Sequence, residues 1–129
     1  MSLKSKGINA ERELVHMFWA RNWACLRIAG SGSSRYPSPD ILVSNKLRKL
    51  AIECKITKDQ KKYFEKKEIL ALKKFAELFG AESWVAVKFK DHDWYFISTE
   101  DLEETEKSYF TSTTSSKNKG LLFEELIKK

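Results

Sequence analysis

Asp40, directly after Pro39, and the triplet Glu53-Cys54-Lys55 a short way downstream put two carboxylates and one ammonium within a small part of the chain. Hard oxygen donors of this kind hold Mg²⁺ or Mn²⁺ through one or two carboxylates while waters stay on the ion, and a neighbouring lysine steers one of those waters. The reaction that uses such a set is phosphodiester hydrolysis. Along residues 50–56 the side chains alternate with a period of two, so Leu50, Ile52, Cys54 and Ile56 share one strand face. Ala51, Glu53 and Lys55 share the other. Glu-x-Lys alone is more often the solvated face of an amphipathic strand. The upstream Pro-Asp shifts the balance. Asp40 opens a second apolar run, Ile41-Leu42-Val43, and the polar turn around Ser44-Asn45-Lys46 lets the two runs pair as an antiparallel hairpin. Asp40 and Glu53 then approach each other on neighbouring strands.

Other elements must carry this hairpin. Ala10, Leu14, Met17 and Phe18 recur at helical spacing after Gly7-Ile8-Asn9, which predicts a helix with Asn9 as N-cap and Glu11 and Arg12 in its first turn. There Glu11 either complements the helix dipole or adds a carboxylate to the metal site. Residues 23–29 read as a strand. Residues 30–39 form a Gly/Ser-rich connection bracketed by Arg27 and Arg35, read as a mobile loop whose amides and hydroxyls suit phosphate oxygens. Next comes a basic run, Lys58, Lys61, Lys62, Lys66 and Lys67, interleaved with Tyr63 and Phe64; it fits phosphate contacts or a lysine-protected edge strand. From Glu68, the positions Ile69, Leu72, Phe75, Ala76 and Phe79 mark an amphipathic helix that Gly80 stops, with Phe75 and Phe79 read as core. Residues 84–89 and 94–97 are strand-like and joined by a polar turn, so they pair. Ser98 caps a short acidic turn, residues 111–119 read as loop or frayed strand, and Leu121, Leu122, Glu125 and Leu126 suggest a last helix.

With 129 residues, 42% of them hydrophobic, the chain is long enough for one core, read as a single domain over residues 1–129. It has no apolar run near the roughly 20 residues that span a bilayer, and no secretion-signal pattern at its start. A soluble, cytoplasmic protein associated with the nucleoid is the expectation. Cys25 and Cys54 sit inside apolar runs as buried thiols, and His16 and His92 lack companion ligands for zinc. Net charge is +6, unevenly spread: residues 1–74 hold 17 Lys/Arg against 7 Asp/Glu, and residues 75–129 hold 7 against 11. The basic excess therefore coincides with the carboxylate–lysine set. A polyanion drawn to that set explains the coincidence, whereas plain solubility explains only the total.

Four linked segments carry a resemblance: Lys6-Gly-Ile-Asn-Ala-Glu11-Arg12-Glu-Leu-Val, Arg27-Ile-Ala-Gly-Ser31-Gly-Ser, Pro39-Asp40-Ile and Ile52-Glu53-Cys-Lys55. In order and spacing they resemble the archaeal Holliday junction resolvases, the Hjc/Hje family of PD-(D/E)xK nucleases. The likeness extends through Lys73-Lys-Phe75-Ala-Glu-Leu-Phe79-Gly80 and Val85-Ala-Val-Lys88-Phe89 to cover roughly residues 6–127. It implies a restriction-endonuclease-like α/β fold with a mixed sheet flanked by helices, a homodimer, and Mg²⁺-dependent paired nicking of four-way DNA junctions in recombination and repair. Asp40, Glu53 and Glu11 would then be acidic groups at the metal, Lys55 the water-orienting residue, and Ser31 a loop serine that some members use for cleavage. Arg12 and Arg27 match arginines at the DNA phosphates, and Arg35 and Lys62 extend that cationic surface. The apolar candidates for a dimer interface are Phe75, Phe79, Trp84, Trp94 and the C-terminal leucines. Two other readings share these residues: another nuclease of this fold acting on duplex or flapped DNA, and a non-catalytic DNA-binding module.

Overall fold

The middle of the molecule is a nine-residue strand, β3 (Lys49–Thr57), and both of its faces are covered. The computed structural model describes residues 2–30 and 35–129. Helix α1 (Leu3–Trp19) leads into β1 (Ala24–Arg27) and β2 (Ile41–Ser44), and β2 forms the hairpin with β3. Its register sets Ile41 opposite Ile52 and Val43 opposite Leu50, which carries Asp40 to the level of Glu53. After β4 (Lys61–Glu65) and α2 (Lys66–Phe79), β5 (Glu82–Phe89) returns parallel to β3, and β6 (Trp94–Ser98) pairs antiparallel with β5. The chain ends with β7 (Glu103–Glu104), β8 (Ser108–Ser112), α3 (Thr113–Lys119), β9 (Leu121–Leu122) and α4 (Phe123–Lys128). The main sheet runs β1-β2-β3-β5-β6-β9, and a small second sheet runs β4-β8-β7.

Strand alternation sorts the core into two layers. Leu50, Ile52 and Cys54 of β3, with Trp84 and Ala86 of β5, pack against Ala10, Leu14 and Phe18 of α1 and Leu126 of α4. Ala51, Val85, Val87 and Phe89 turn the other way, against Phe64 of β4 and Ile69, Leu72 and Ala76 of α2. Burial on both faces is the usual state of a strand with a parallel neighbour joined by a helical crossover. Gly80 ends α2 at φ 80°, in the left-handed region, with its N–H donating to the Ala76 carbonyl. No helix among the described residues is long and apolar enough to cross a membrane.

Several expectations change. Helix α1 starts at Leu3 with Ser2 as its cap, the Ser2 hydroxyl accepting from the Ser5 N–H, so Asn9 and Glu11 lie well inside the helix and Glu11 has no first-turn role. Gly7 is carried within the helix, where its lack of a side chain made a boundary upstream of Ala10 look natural from sequence. The polar stretch 111–119 is not a loop or frayed strand: it ends β8 and forms α3, because Ser112 and Ser115 cap each other's backbone and Thr111 pairs with Ser116 through buried hydroxyls 2.7 Å apart. Trp84, Trp94 and Leu126 are core residues and unavailable to a partner chain. Phe79, by contrast, is half-exposed and stacks on Phe75 at 5.3 Å, so it is not core.

Gly120, at the end of α3, is a position of close approach. A Cβ there would stand 2.6 Å from the Ser116 carbonyl oxygen and 3.2 Å from that of Phe96, neither of which moves without disturbing its helix or strand. Gly120→Ala is therefore expected to destabilise the fold by about 1–3 kcal/mol, as overpacking does. Chemical denaturation checks it, and an unchanged midpoint refutes this account of the α3–β6 contact.

Candidate active site

Asp40 is held by three hydrogen bonds, two from β3 of the hairpin and one from the residue that follows β1. Its N–H donates to the Ile52 carbonyl (3.1 Å), its carbonyl accepts from the Ile28 N–H (2.8 Å), and its side-chain Oδ2 accepts from the Cys54 N–H (2.8 Å). Pro39, buried just before it, has its own φ fixed by the ring and restricts Ser38 to an extended backbone, and so helps to aim the chain into β2. Glu53, one residue before the Cys54 amide on β3, shares a hydrogen bond with the Asp40 side chain. Two carboxylates are thereby forced together.

That juxtaposition is costly, and proton binding shows it. Burial first, and then the charge of Asp40, push the Glu53 carboxyl up to about 9, against only partial relief from Lys55. Glu11, reaching in from α1, is also raised by burial and by Asp40, although the Arg27 guanidinium lies 3.3 Å from its Oε1 and opposes the shift. Lys55 is held against Glu68 at 3.0 Å and stands 4.0 Å from Glu53. Burial works against its charge, but Glu68, Glu53 and Asp40 outweigh it, and the ammonium is stabilised overall.

Two cavities meet at this cluster. One, of about 290 Å³, includes Glu11, Arg27, Gly30 and Asp40 in its lining. The other is a cleft of about 770 Å³ where Glu53, Lys55 and Glu68 face Arg35, Lys62 and Tyr63. The structure thus unites Asp40, Glu53, Lys55 and Glu11, places Arg27 on Glu11, and puts Arg35 and Lys62 on the cleft wall. Arg12 is exposed on α1 and lines neither cavity. Ser31 lies outside the described residues, as does the part of the 30–39 connection from 31 to 34. Glu68 is the residue that sequence reasoning missed. It was legible only as the start of a helix, and nothing local reveals that this helix begins over Lys55.

The donor set suits a divalent cation. Glu11, Asp40, Glu53 and Glu68 gather here around Arg27, which pairs with Glu11, and Lys55, which pairs with Glu68 and stands beside Glu53. No group of three or more His, Cys, Asp or Glu among the described residues forms a ready metal cage. Mg²⁺ needs less, because it usually keeps several waters and takes one or two carboxylates from the protein. Asp40 and Glu53 could supply those two, and Glu11, 3.3 Å from the Arg27 guanidinium, could add a third oxygen donor.

Comparison with known proteins gives a consistent answer. The sequence model of a family described as archaeal Holliday junction resolvase (Hjc) matches residues 2–129. The crossover junction endodeoxyribonuclease Hjc of Archaeoglobus fulgidus is 42% identical over 83% of this chain and 79% of its own length. The Hje enzyme of Sulfolobus acidocaldarius is 36% identical over 78% of this chain and 74% of its own. The solved structure of Archaeoglobus fulgidus Hjc, a Holliday junction resolvase, superposes with a TM-score of 0.87 over 96% of this chain and 97% of that one, at 35% identity. The fold is accordingly of the restriction-endonuclease-like type.

The raised Glu53 carboxyl gives a stability test that needs no DNA. Above pH 4.5 the unfolded chain gives up this proton while the folded chain keeps it until about 9, so the folded state loses stability across that window. Glu53→Gln removes the loss. In chelator at pH 8 the variant is expected to be more stable than wild type by at least about 1 kcal/mol, the worth of one pKa unit. At pH 4 the advantage should vanish. Thermal melting at the two pH values decides it, and a difference that does not change with pH refutes the assignment.

Proposed function

The chain belongs to the archaeal Holliday junction resolvase family, and from that premise we propose that it is a structure-selective endonuclease that cuts four-way DNA junctions by paired, Mg²⁺-dependent nicks. The observation that supports this most directly is the clustering of Asp40, Glu53 and Lys55, with Glu53 and Lys55 lining a cleft that also carries Arg35 and Lys62 and Asp40 lining the cavity beside Glu11 and Arg27. Its substrates would be the branched intermediates of recombination and repair.

Asp40 and Glu53 would hold Mg²⁺, with Mn²⁺ able to substitute. When bound, the ion lowers the pKa of its water and neutralises charge on the phosphate. The residues around it have separate tasks. Asp40 is held by the Cys54 N–H, so its carboxylate would be oriented in advance for the ion. Lys55 carries its ammonium beside Glu53, where it orients the attacking water and offsets the negative charge that grows as the phosphate is attacked. Arg27 holds Glu11 at the rim, and Arg35 and Lys62 meet neighbouring phosphates. These contacts read the DNA backbone and carry no base code, which suits a substrate defined by branching.

Paired nicks require two such sites at a set spacing, hence a twofold dimer. The apolar surface for it is on α2, where Leu78 and Phe79 are exposed and Phe79 stacks on Phe75. Phe79→Glu should shift the mass measured by light scattering from dimer to monomer at micromolar concentration, and a wild-type monomer under those conditions would count against paired cutting.

The catalytic assignment has its own test on a fixed four-way junction. Asp40→Asn and Glu53→Gln should abolish cleavage yet bind the junction as tightly as wild type or tighter, since each removes a negative charge that faces DNA. Lys55→Ala should also be inactive. A surface that neutralises roughly 6–10 phosphates should lose about 10³–10⁵ in affinity between 50 and 200 mM salt. Wild-type rates in both carboxamide variants, or equal cutting of linear duplex by the wild-type protein, would overturn the reading.

A further inference from the structure

Lys55 has two carboxylate neighbours, and the nearer one is not on its own strand. Its Nζ lies 3.0 Å from Glu68 Oε2 and 4.0 Å from Glu53 Oε2. The Glu68 and Lys55 side chains are 28% and 29% exposed, so the pair is partly shielded inside the cleft and is not a freely solvated surface bridge. Glu68 stands in the first turn of α2, whose Ile69 and Leu72 are clamped in the core against β3 and β5. Its carboxylate therefore approaches Lys55 from a rigid support.

We propose that Glu68 is a positioning residue, which anchors the Lys55 ammonium from the α2 side and keeps it from collapsing onto Glu53. An ammonium donates three hydrogen bonds and seeks acceptors. With Glu68 removed, the nearest remaining acceptor is Glu53, and a lysine that closes on Glu53 occupies the oxygens that a divalent cation needs. With Glu68 present, Lys55 spans two anchors, and its charge stays beside Glu53 without capping it. The inference rests on the proposed nuclease reading and deepens it, assigning Glu68 to the reaction through Lys55 and not through the cation.

A carboxylate in the first turn of a helix also complements the helix dipole, and that role alone would explain Glu68 as a stability feature. The two roles separate experimentally. Glu68→Gln and Glu68→Asp are compared with wild type by single-turnover cleavage of a four-way junction in Mg²⁺, by junction affinity in chelator, and by NMR of the lysine ammonium protons in metal-free protein. Positioning predicts that Glu68→Gln slows cleavage roughly 10–100-fold, the usual cost of removing a partner that orients a reactive group, with junction affinity unchanged. Glu68→Asp recovers most of the rate, and the exchange-protected Lys55 ammonium signal of wild type is lost in Glu68→Gln. A dipole role alone lowers the melting temperature and leaves rate and ammonium signal as they were. That result, or a rate loss matched by lost affinity, overturns the proposal. Failure of the wild-type protein to cut junctions would instead sink the nuclease reading, while the ammonium signal would still report whether Glu68 holds Lys55.

Discussion

The hydrogen bond from the Cys54 N–H to Asp40 Oδ2 is the constraint on which the site depends. It joins the backbone of β3 to the side chain that precedes β2, and so ties the two strands of the hairpin together at the site. It brings Asp40 against Glu53 and leaves two carboxylates competing for the same partly buried volume. Everything nearby responds to that pressure. The Glu53 carboxyl is pushed up by burial and by Asp40, Arg27 pairs with Glu11, and Lys55 stands between Glu53 and Glu68. Under the proposed nuclease reading, a divalent cation would relieve this crowding by taking the oxygens of Asp40 and Glu53.

What resists the repulsion is packing at the other end of the same strands. Leu50, Ala51 and Ile52 of β3 are completely buried, and so are Ile41 and Val43 of the paired β2. Apolar burial of this kind contributes about 1.5–3 kcal/mol per large side chain, so a handful of such residues outweighs the penalty of one strained carboxylate pair. The arrangement also explains where the site lies. Moving along β3, the face toward α2 passes from Ala51, sealed by the helix, to Glu53 and Lys55, where the first turn of α2 gives way to the cleft.

How far this was legible from sequence depends on whether the signal was local. Strand alternation is a local pattern, so the hairpin of β2 and β3, the meeting of Asp40 with Glu53, and the neighbouring position of Lys55 could all be read from residues 39–56. The β5–β6 pairing and the Gly80 stop were readable for the same reason. Capping by short hydroxyls was not. Ser2 and Ser112 each start a helix in polar, weakly periodic stretches, where apolar spacing gives no guidance. The face of β3 bearing Ala51 was read as polar beside a buried reverse face, whereas α2 covers it. That error hid Glu68, since a residue 13 positions beyond Lys55 comes near it only through the crossover from β3 to α2.

Helix α2 therefore has three tasks that follow from its geometry. Ile69, Leu72 and Ala76 fasten it to the sheet, Glu68 at its start reaches the Lys55 ammonium, and Leu78 and Phe79 near its end face outward. A helix rises about 1.5 Å per residue, so the 11 positions from Glu68 to Phe79 separate these two ends by roughly 16 Å. A second chain docked on the outward end would not obstruct the cleft. It would nonetheless be joined to Lys55 by a single rigid element, because the residues between are buried against β3 and β5 and leave α2 no freedom to shift one end without the other. In a dimer built on that end, the orientation of each cleft would be set by the same apolar contacts that hold α2 to its own sheet.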